Sequence, residues 1–136
     1  MPSLNPTSAQ LAEFASRMPA GAPILMLNLL RYNAAADYPS GSEHAACSGR
    51  EAYRRYSRTA LAKVQGVGGR VEILAPVQLA LIAPQDEHWD DMLLVRYPSP
   101  EAFLAMLGDP EYQAATVHRT AALADSRLIA SLPPAA

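Results

Sequence analysis

One helix face in this sequence carries an arginine among small and aromatic residues. Tyr112, Ala115, Arg119 and Ala122 recur at spacings of three, four and three, so on a helix they share a face. A stripe of that composition packs on a sheet, and an arginine within it needs an anion or a carbonyl. Two readings stand. The guanidinium grips a substrate carboxylate through paired hydrogen bonds. Alternatively it closes an internal ion pair, with Asp90 or Glu111 as the acid, or snorkels at the helix end. His118 points about 100° away around the helix. It is either a general base working near neutral pH or an exposed or hydrogen-bonded filler. Asn28 sits alone in an apolar run and either polarises a ligand carbonyl (or an oxyanion) or bonds a neighbouring loop. Tyr53, Tyr56, Tyr112 and Trp89 offer an aromatic wall with polar tips, suited to a small cyclic or phenolic molecule, or ordinary core and interface packing. The functional reading gives catalysis to His118 and Asn28, and substrate binding to Arg119, Tyr112, Trp89, Tyr56 and Tyr53.

Other chemistries find less in the sequence. His44 and Cys47 have an H-x-x-C spacing beside Glu43, and His88 and Asp90 flank Trp89, but neither pair has the second pair of ligands that a metal centre needs. No metal and no cofactor is expected; for haem, His118 stands without supporting residues. Gly66, Gly68 and Gly69 follow a helical pattern and precede a strand, the reverse of the dinucleotide-binding order. Cys47 is the single cysteine, which excludes an internal disulfide and leaves a thiol with no base placed beside it by the sequence. Arg50, Arg54, Arg55 and Arg58 read as a solvated helix face with Glu51.

The elements that must position these residues follow from periodicity and caps. Thr7 and Gln10 have capping-box spacing, and Leu11, Phe14, Ala15 and Met18 continue at helical spacing. The apolar run from Ile24 to Tyr32 suits a central strand. Residues 33–47, rich in Ala, Ser, Gly, Asp and Pro, read as a long surface loop. Ser48 and Glu51 open a helix with Tyr53, Tyr56, Ala60, Val64 and Val67 on one stripe, stopped by the glycines from Gly66. A strand is expected over 70–82, interrupted or bulged at Pro76, and another over 92–97. Ser99-Pro100-Glu101 and Asp109-Pro110-Glu111 each start a helix, the second running to about Leu123. A last strand is expected over 127–131.

The resulting βαββαβ order suits a ferredoxin-like α+β fold, a four-stranded antiparallel sheet with an extra N-terminal helix. The bare sheet face calls for a cover, and a second copy of the chain supplies it as a twofold homodimer. The expected division is an N-terminal extension over 1–22, one domain over 23–132 and a tail over 133–136. The chain has 136 residues, 50% apolar and 18% charged, and its 11 Lys and Arg against 13 Asp and Glu give a net charge of −2. That balance describes one packed domain and excludes a basic nucleic-acid or membrane patch. No apolar run reaches the roughly 20 residues of a membrane span, and no cationic leader is visible, so a cytoplasmic location is expected.

Several strings line up in order with a known family. They are Glu51-Ala52-Tyr53-Arg54-Arg55-Tyr56, Gly68-Gly69-Arg70-Val71, Trp89-Asp90, Val95-Arg96-Tyr97-Pro98-Ser99, Asp109-Pro110-Glu111-Tyr112-Gln113, His118-Arg119 and Ser126-Arg127-Leu128. Together they resemble the domain of unknown function 1330 family, in the dimeric α+β barrel superfamily. The resemblance implies the fold and a homodimer, and supplies no reaction. Distant superfamily relatives include cofactor-free monooxygenases, isomerases and haem-binding proteins with a pocket between sheet and helices. The expectation is therefore a homodimer binding a small carboxylated or phenolic molecule there, as a cofactor-free monooxygenase or isomerase, or as a non-catalytic binding or structural module.

Overall fold

The Thr7 hydroxyl accepts from the Gln10 N–H at 3.1 Å, and the Gln10 side chain accepts from the Thr7 N–H at 2.9 Å. This closed capping box opens α1 (Ser8–Arg17). The computed structural model describes residues 2–135. It continues with β1 (Ile24–Tyr32), α2 (Gly49–Gly66), β2 (Arg70–Pro76), β3 (Asp91–Tyr97), α3 (Pro100–Leu107), α4 (Pro110–Ala122) and β4 (Leu123–Ser131). Met1 and Ala136, the outer ends of the expected extension and tail, lie outside the described residues. Ser48, Ser99 and Asp109 cap α2, α3 and α4 by accepting backbone N–H groups. Glu51 does not complete a box at Ser48, because its carboxylate faces Arg54 at 3.3 Å and Arg58 at 3.6 Å.

The strands form one antiparallel sheet in the order β2-β3-β1-β4, with α2 and α4 packed together. The ferredoxin-like α+β arrangement with an added N-terminal helix is the fold of this protein. Period-two alternation along β1 turns Ile24, Met26 and Leu30 into the core, where Val95, Tyr97 and Tyr56 meet the first two. Leu25, Leu27 and Leu29 alternate onto the opposite face. Among the described residues no helix is long and apolar enough to cross a membrane.

Two element boundaries differ from the sequence expectation. The strand expected over 70–82 ends at Pro76, opposite Asp91; proline has no N–H to extend a ladder. The Val77 N–H bonds the Asp90 carbonyl at 2.9 Å before the chain leaves the sheet. The last strand starts at Leu123 rather than 127, directly after α4. The Asn33 and Asp37 N–H groups bond the Ala122 and Ala121 carbonyls, both at 2.8 Å. With those terminal carbonyls satisfied from outside the helix, no connecting loop is needed.

The N-terminal residues are woven into the domain. Phe14 of α1 meets the Phe103 ring edge-on at 5.4 Å. The Ser3 N–H donates to the Asp125 carboxylate at 2.8 Å, and the Ser126 hydroxyl donates to the Ser3 carbonyl. Ser3 and Phe14 thus tie the N-terminal segment to β4 and to α3.

Candidate functional site

The N-terminal segment forms one wall of a partly open cavity of about 710 Å³ against α3, α4 and the helix-facing sides of β1 and β4. Arg119, Tyr112, Tyr56 and Asn28 all line it. Helical spacing along α4 accounts for the placement: Tyr112, Ala115 and Ala122 are buried, and Arg119 shares their face half-buried. Its Nη1 donates to the Leu4 carbonyl. The ion pair expected with Asp90 or Glu111 does not form. Asp90 accepts from the Tyr32 N–H at 2.8 Å. Glu111 instead receives Lys63 at 3.3 Å, and Asp109 holds the same ammonium at 3.1 Å. Among the described residues no carboxylate lies within ion-pair distance of Arg119. A guanidinium has five N–H donors, so a single bond to a backbone carbonyl leaves most of its capacity unused.

Tyr56 and Tyr112 are buried with their hydroxyls 2.7 Å apart. Burial, and then the neighbouring Tyr112, push the Tyr56 hydroxyl well above its ordinary pKa, so it stays protonated at neutral pH. Two hydroxyls sharing one hydrogen bond keep one further O–H available.

Asn28 departs from its expected role. Its Nδ2 donates to the Leu93 carbonyl at 3.2 Å and approaches the Met26 carbonyl at 3.4 Å. The amide protons that would polarise a ligand carbonyl or hold an oxyanion are therefore committed to the sheet. Rotating the amide would set Oδ1 against the Leu93 oxygen, acceptor against acceptor, so the network fixes the orientation.

Tyr53 lies in a second cavity, of about 280 Å³, between α2 and the β2–β3 side of the sheet. It packs on Tyr56 at 5.2 Å and Tyr32 at 5.5 Å between ring centroids, and burial raises its hydroxyl to about 12. Trp89 lines neither cavity. It is buried elsewhere, with the Arg127 guanidinium 5.1 Å above its ring and its Nε1 without a partner among the described residues.

His118 is also apart from the cavity, on another side of α4 under the 33–47 loop. Its Nδ1 lies 2.7 Å from the Tyr38 hydroxyl, and its ring meets that of His44 edge-on at 4.4 Å. Arg55 of α2 donates to the Tyr38 hydroxyl at 3.1 Å and to the Ala45 carbonyl at 3.0 Å. Cys47 packs against the core cluster around Leu30 and Ala52, away from the metal-ligand spacing it shares with His44. Nothing in the sequence placed Tyr38 and His44 beside His118, because the loop has no period to read.

This cluster gives the loop a pH dependence. Burial, then His44 and Arg55, lower the His118 pKa below its ordinary 6.5. Released from the cluster, the imidazole takes up a proton more readily than when packed. The pinned loop is therefore fully favoured above about pH 6.5 and loses that advantage as the pH falls below it. Hydrogen exchange over residues 33–47, corrected for intrinsic rates, should be several-fold faster at pH 5 than at pH 7.5. His118→Asn should flatten the difference, whereas pH-independent protection in the wild type would show that the pair does not hold the loop.

A ferredoxin-like sheet with a cavity beneath its helices, walled by an N-terminal segment and carrying one arginine without a carboxylate partner, defines the class. The family model for the domain of unknown function DUF1330 matches residues 43–131, and the chain belongs to that family. A protein of unknown function from Rhodopseudomonas palustris is 39% identical in its crystal structure, with a TM-score of 0.91 and complete cover of both chains. A dimeric protein of unknown function with a ferredoxin-like fold, from Bacteroides fragilis NCTC 9343, is 9% identical with a TM-score of 0.51, over 84% of this chain and 99% of that one. A hydroxynitrile lyase from Passiflora edulis is 7% identical with a TM-score of 0.54, over 84% of this chain and 95% of that one. At those identities the last two share the fold alone. No curated protein matches the chain.

Proposed function

We propose that this chain is a homodimer in which each protomer holds one small carboxylated or phenolic organic molecule in the 710 Å³ cavity. The observation that carries the reading is Arg119, a guanidinium in the cavity wall whose recorded bond is to the Leu4 carbonyl and which faces no protein carboxylate among the described residues. A ligand carboxylate supplies the bidentate partner that the chain does not. The Tyr56–Tyr112 pair offers its remaining O–H to the same ligand. Homodimerisation is supported by the apolar centre of the sheet face opposite the helices, where Leu27 pairs with Leu94 and Ile129, and by the dimeric protein of the same fold from Bacteroides fragilis.

Turnover draws less support. A cofactor-free monooxygenase or isomerase using His118 as base needs that imidazole at the ligand, and His118 does not line the cavity. The position of His118 favours the alternative, a ligand-binding dimer without catalysis.

Native mass spectrometry of the freshly purified protein, beside Arg119→Met, tests the reading. The wild type is expected as a dimer carrying a co-purified small mass, and the variant as a dimer without it. With benzoate as a soluble probe, the variant should bind about tenfold more weakly or worse, the measure of a lost charge-assisted hydrogen bond. A ligand-free wild type, with Arg119→Met strongly destabilised, would assign Arg119 to holding the N-terminal segment instead.

A further inference from the structure

Asn28 is the point at which the two cavities meet. It lines both, together with Tyr56, Tyr97 and Met106, so the larger and smaller spaces share a wall at the middle of β1. Along β1 the neighbours of Asn28 on the same face are Met26 and Leu30, both apolar and buried. Its Nδ2 is directed into the sheet, toward the Leu93 and Met26 carbonyls. Its Oδ1 accepts no recorded hydrogen bond among the described residues, yet it is not among the buried atoms left without a partner. An accessible amide oxygen in a pocket wall accepts hydrogen bonds and repels carbonyl or carboxylate oxygens.

The geometry points to Asn28 as the residue that selects a hydroxylated carboxylic acid, its Oδ1 accepting the ligand hydroxyl while Arg119 holds the carboxylate. The inference rests on the proposed ligand site and narrows its class. A carbonyl at the same place meets oxygen against oxygen, and an unsubstituted ring leaves the amide oxygen without the water it gives up. Chemistry along the wall then differs: guanidinium and phenol donors at α4, an amide acceptor at β1, with the Tyr97 hydroxyl turned to the Met106 sulfur at 3.9 Å.

The probes are benzoate and its three monohydroxy isomers, titrated by calorimetry into the wild type, Asn28→Leu and Arg119→Met. At least one isomer should bind the wild type about three- to tenfold more tightly than benzoate, the worth of one neutral hydrogen bond. Asn28→Leu should erase that preference by weakening the favoured isomer, with benzoate bound at least as tightly as by the wild type because no amide oxygen is then left without its water. Arg119→Met should weaken all four acids together. Equal binding of benzoate and every isomer, or a preference that survives Asn28→Leu, overturns the assignment of Asn28 and leaves the carboxylate site standing. Failure of all four acids to bind the wild type overturns both. If Asn28→Leu lowers the thermal midpoint markedly, Asn28→Ala, which adds no atoms to the strand, carries the same comparison.

Discussion

Gly49→Ala is expected to cost about 3 kcal/mol or more of folding stability, although it adds a single methyl group to a helix. Gly49 is the first residue of α2 and is buried. A Cβ built there would stand 2.1 Å from the Asn33 carbonyl oxygen, 2.7 Å from the Ala122 carbonyl oxygen and 2.9 Å from the Asn33 nitrogen. All three are backbone atoms, so no side chain can swing aside. The same atoms carry the joint: Gly49 N–H bonds Asn33 O at 3.1 Å, and Asn33 N–H bonds Ala122 O at 2.8 Å. Relieving the clash separates the end of β1, the start of α2 and the α4–β4 junction together. For a domain of this size the loss lowers the thermal midpoint by about 10 °C. Gly66→Ala is the control, because a Cβ there meets nothing within 4 Å, and it should be neutral or slightly stabilising. A midpoint for Gly49→Ala within about 2 °C of the wild type would mean that this joint is far softer than its contacts imply.

The contrast among the glycines shows what the sequence could convey. Gly68, with φ of +86°, ends α2 in the left-handed region, and its position after an amphipathic run makes that legible. The requirement at Gly49 comes from segments distant in the chain, and nothing local signals it. The candidate site divides in the same way. Arg119 and Tyr112 were readable because helical spacing alone puts them on one face. The split between Arg119 and His118 was readable only as an angle, since the partner of each is a segment without period: residues 2–6 for Arg119, the 33–47 loop for His118. Asn28 was visible as a polar interruption, but which end of its amide faces the cavity depends on the β3 carbonyl beside it. Trp89, set between acidic and polar residues, gave no sign of which side of the sheet would bury it.

Leu27→Asp is expected to convert the proposed dimer to monomer at micromolar concentration. Leu27 pairs with Leu94 of β3 and Ile129 of β4, so it lies at the centre of the face that the helices leave open. Leu25, Leu29 and Met92 surround it in register, and toward the edges Ile73 is 45% and Ile129 48% exposed. An apolar centre of this kind, rimmed by Arg70, Arg96 and Arg127 on one side of a four-stranded sheet, is what a stable self-complementary interface buries. A carboxylate at its centre enters twice per dimer, and its direct cross-strand partners Leu94 and Ile129 supply no cation. The nearest on this face, Arg96 and Arg127, stand diagonally, opposite Leu25 and Leu29, and Arg127 is already held by Asp125 and the Trp89 ring. Burial of even one unpaired charge costs about 4 kcal/mol, which raises the dissociation constant about a thousandfold. Gln65→Glu, adding the same charge on the exposed surface of α2, should leave the dimer intact. Sedimentation equilibrium reads both variants. A wild type that sediments as a monomer removes the premise, and a Leu27→Asp protein that stays dimeric places the interface on another face. That second outcome would leave Ile73 and Ile129 open to solvent in the assembled protein, a cost that a dimer built through this sheet avoids.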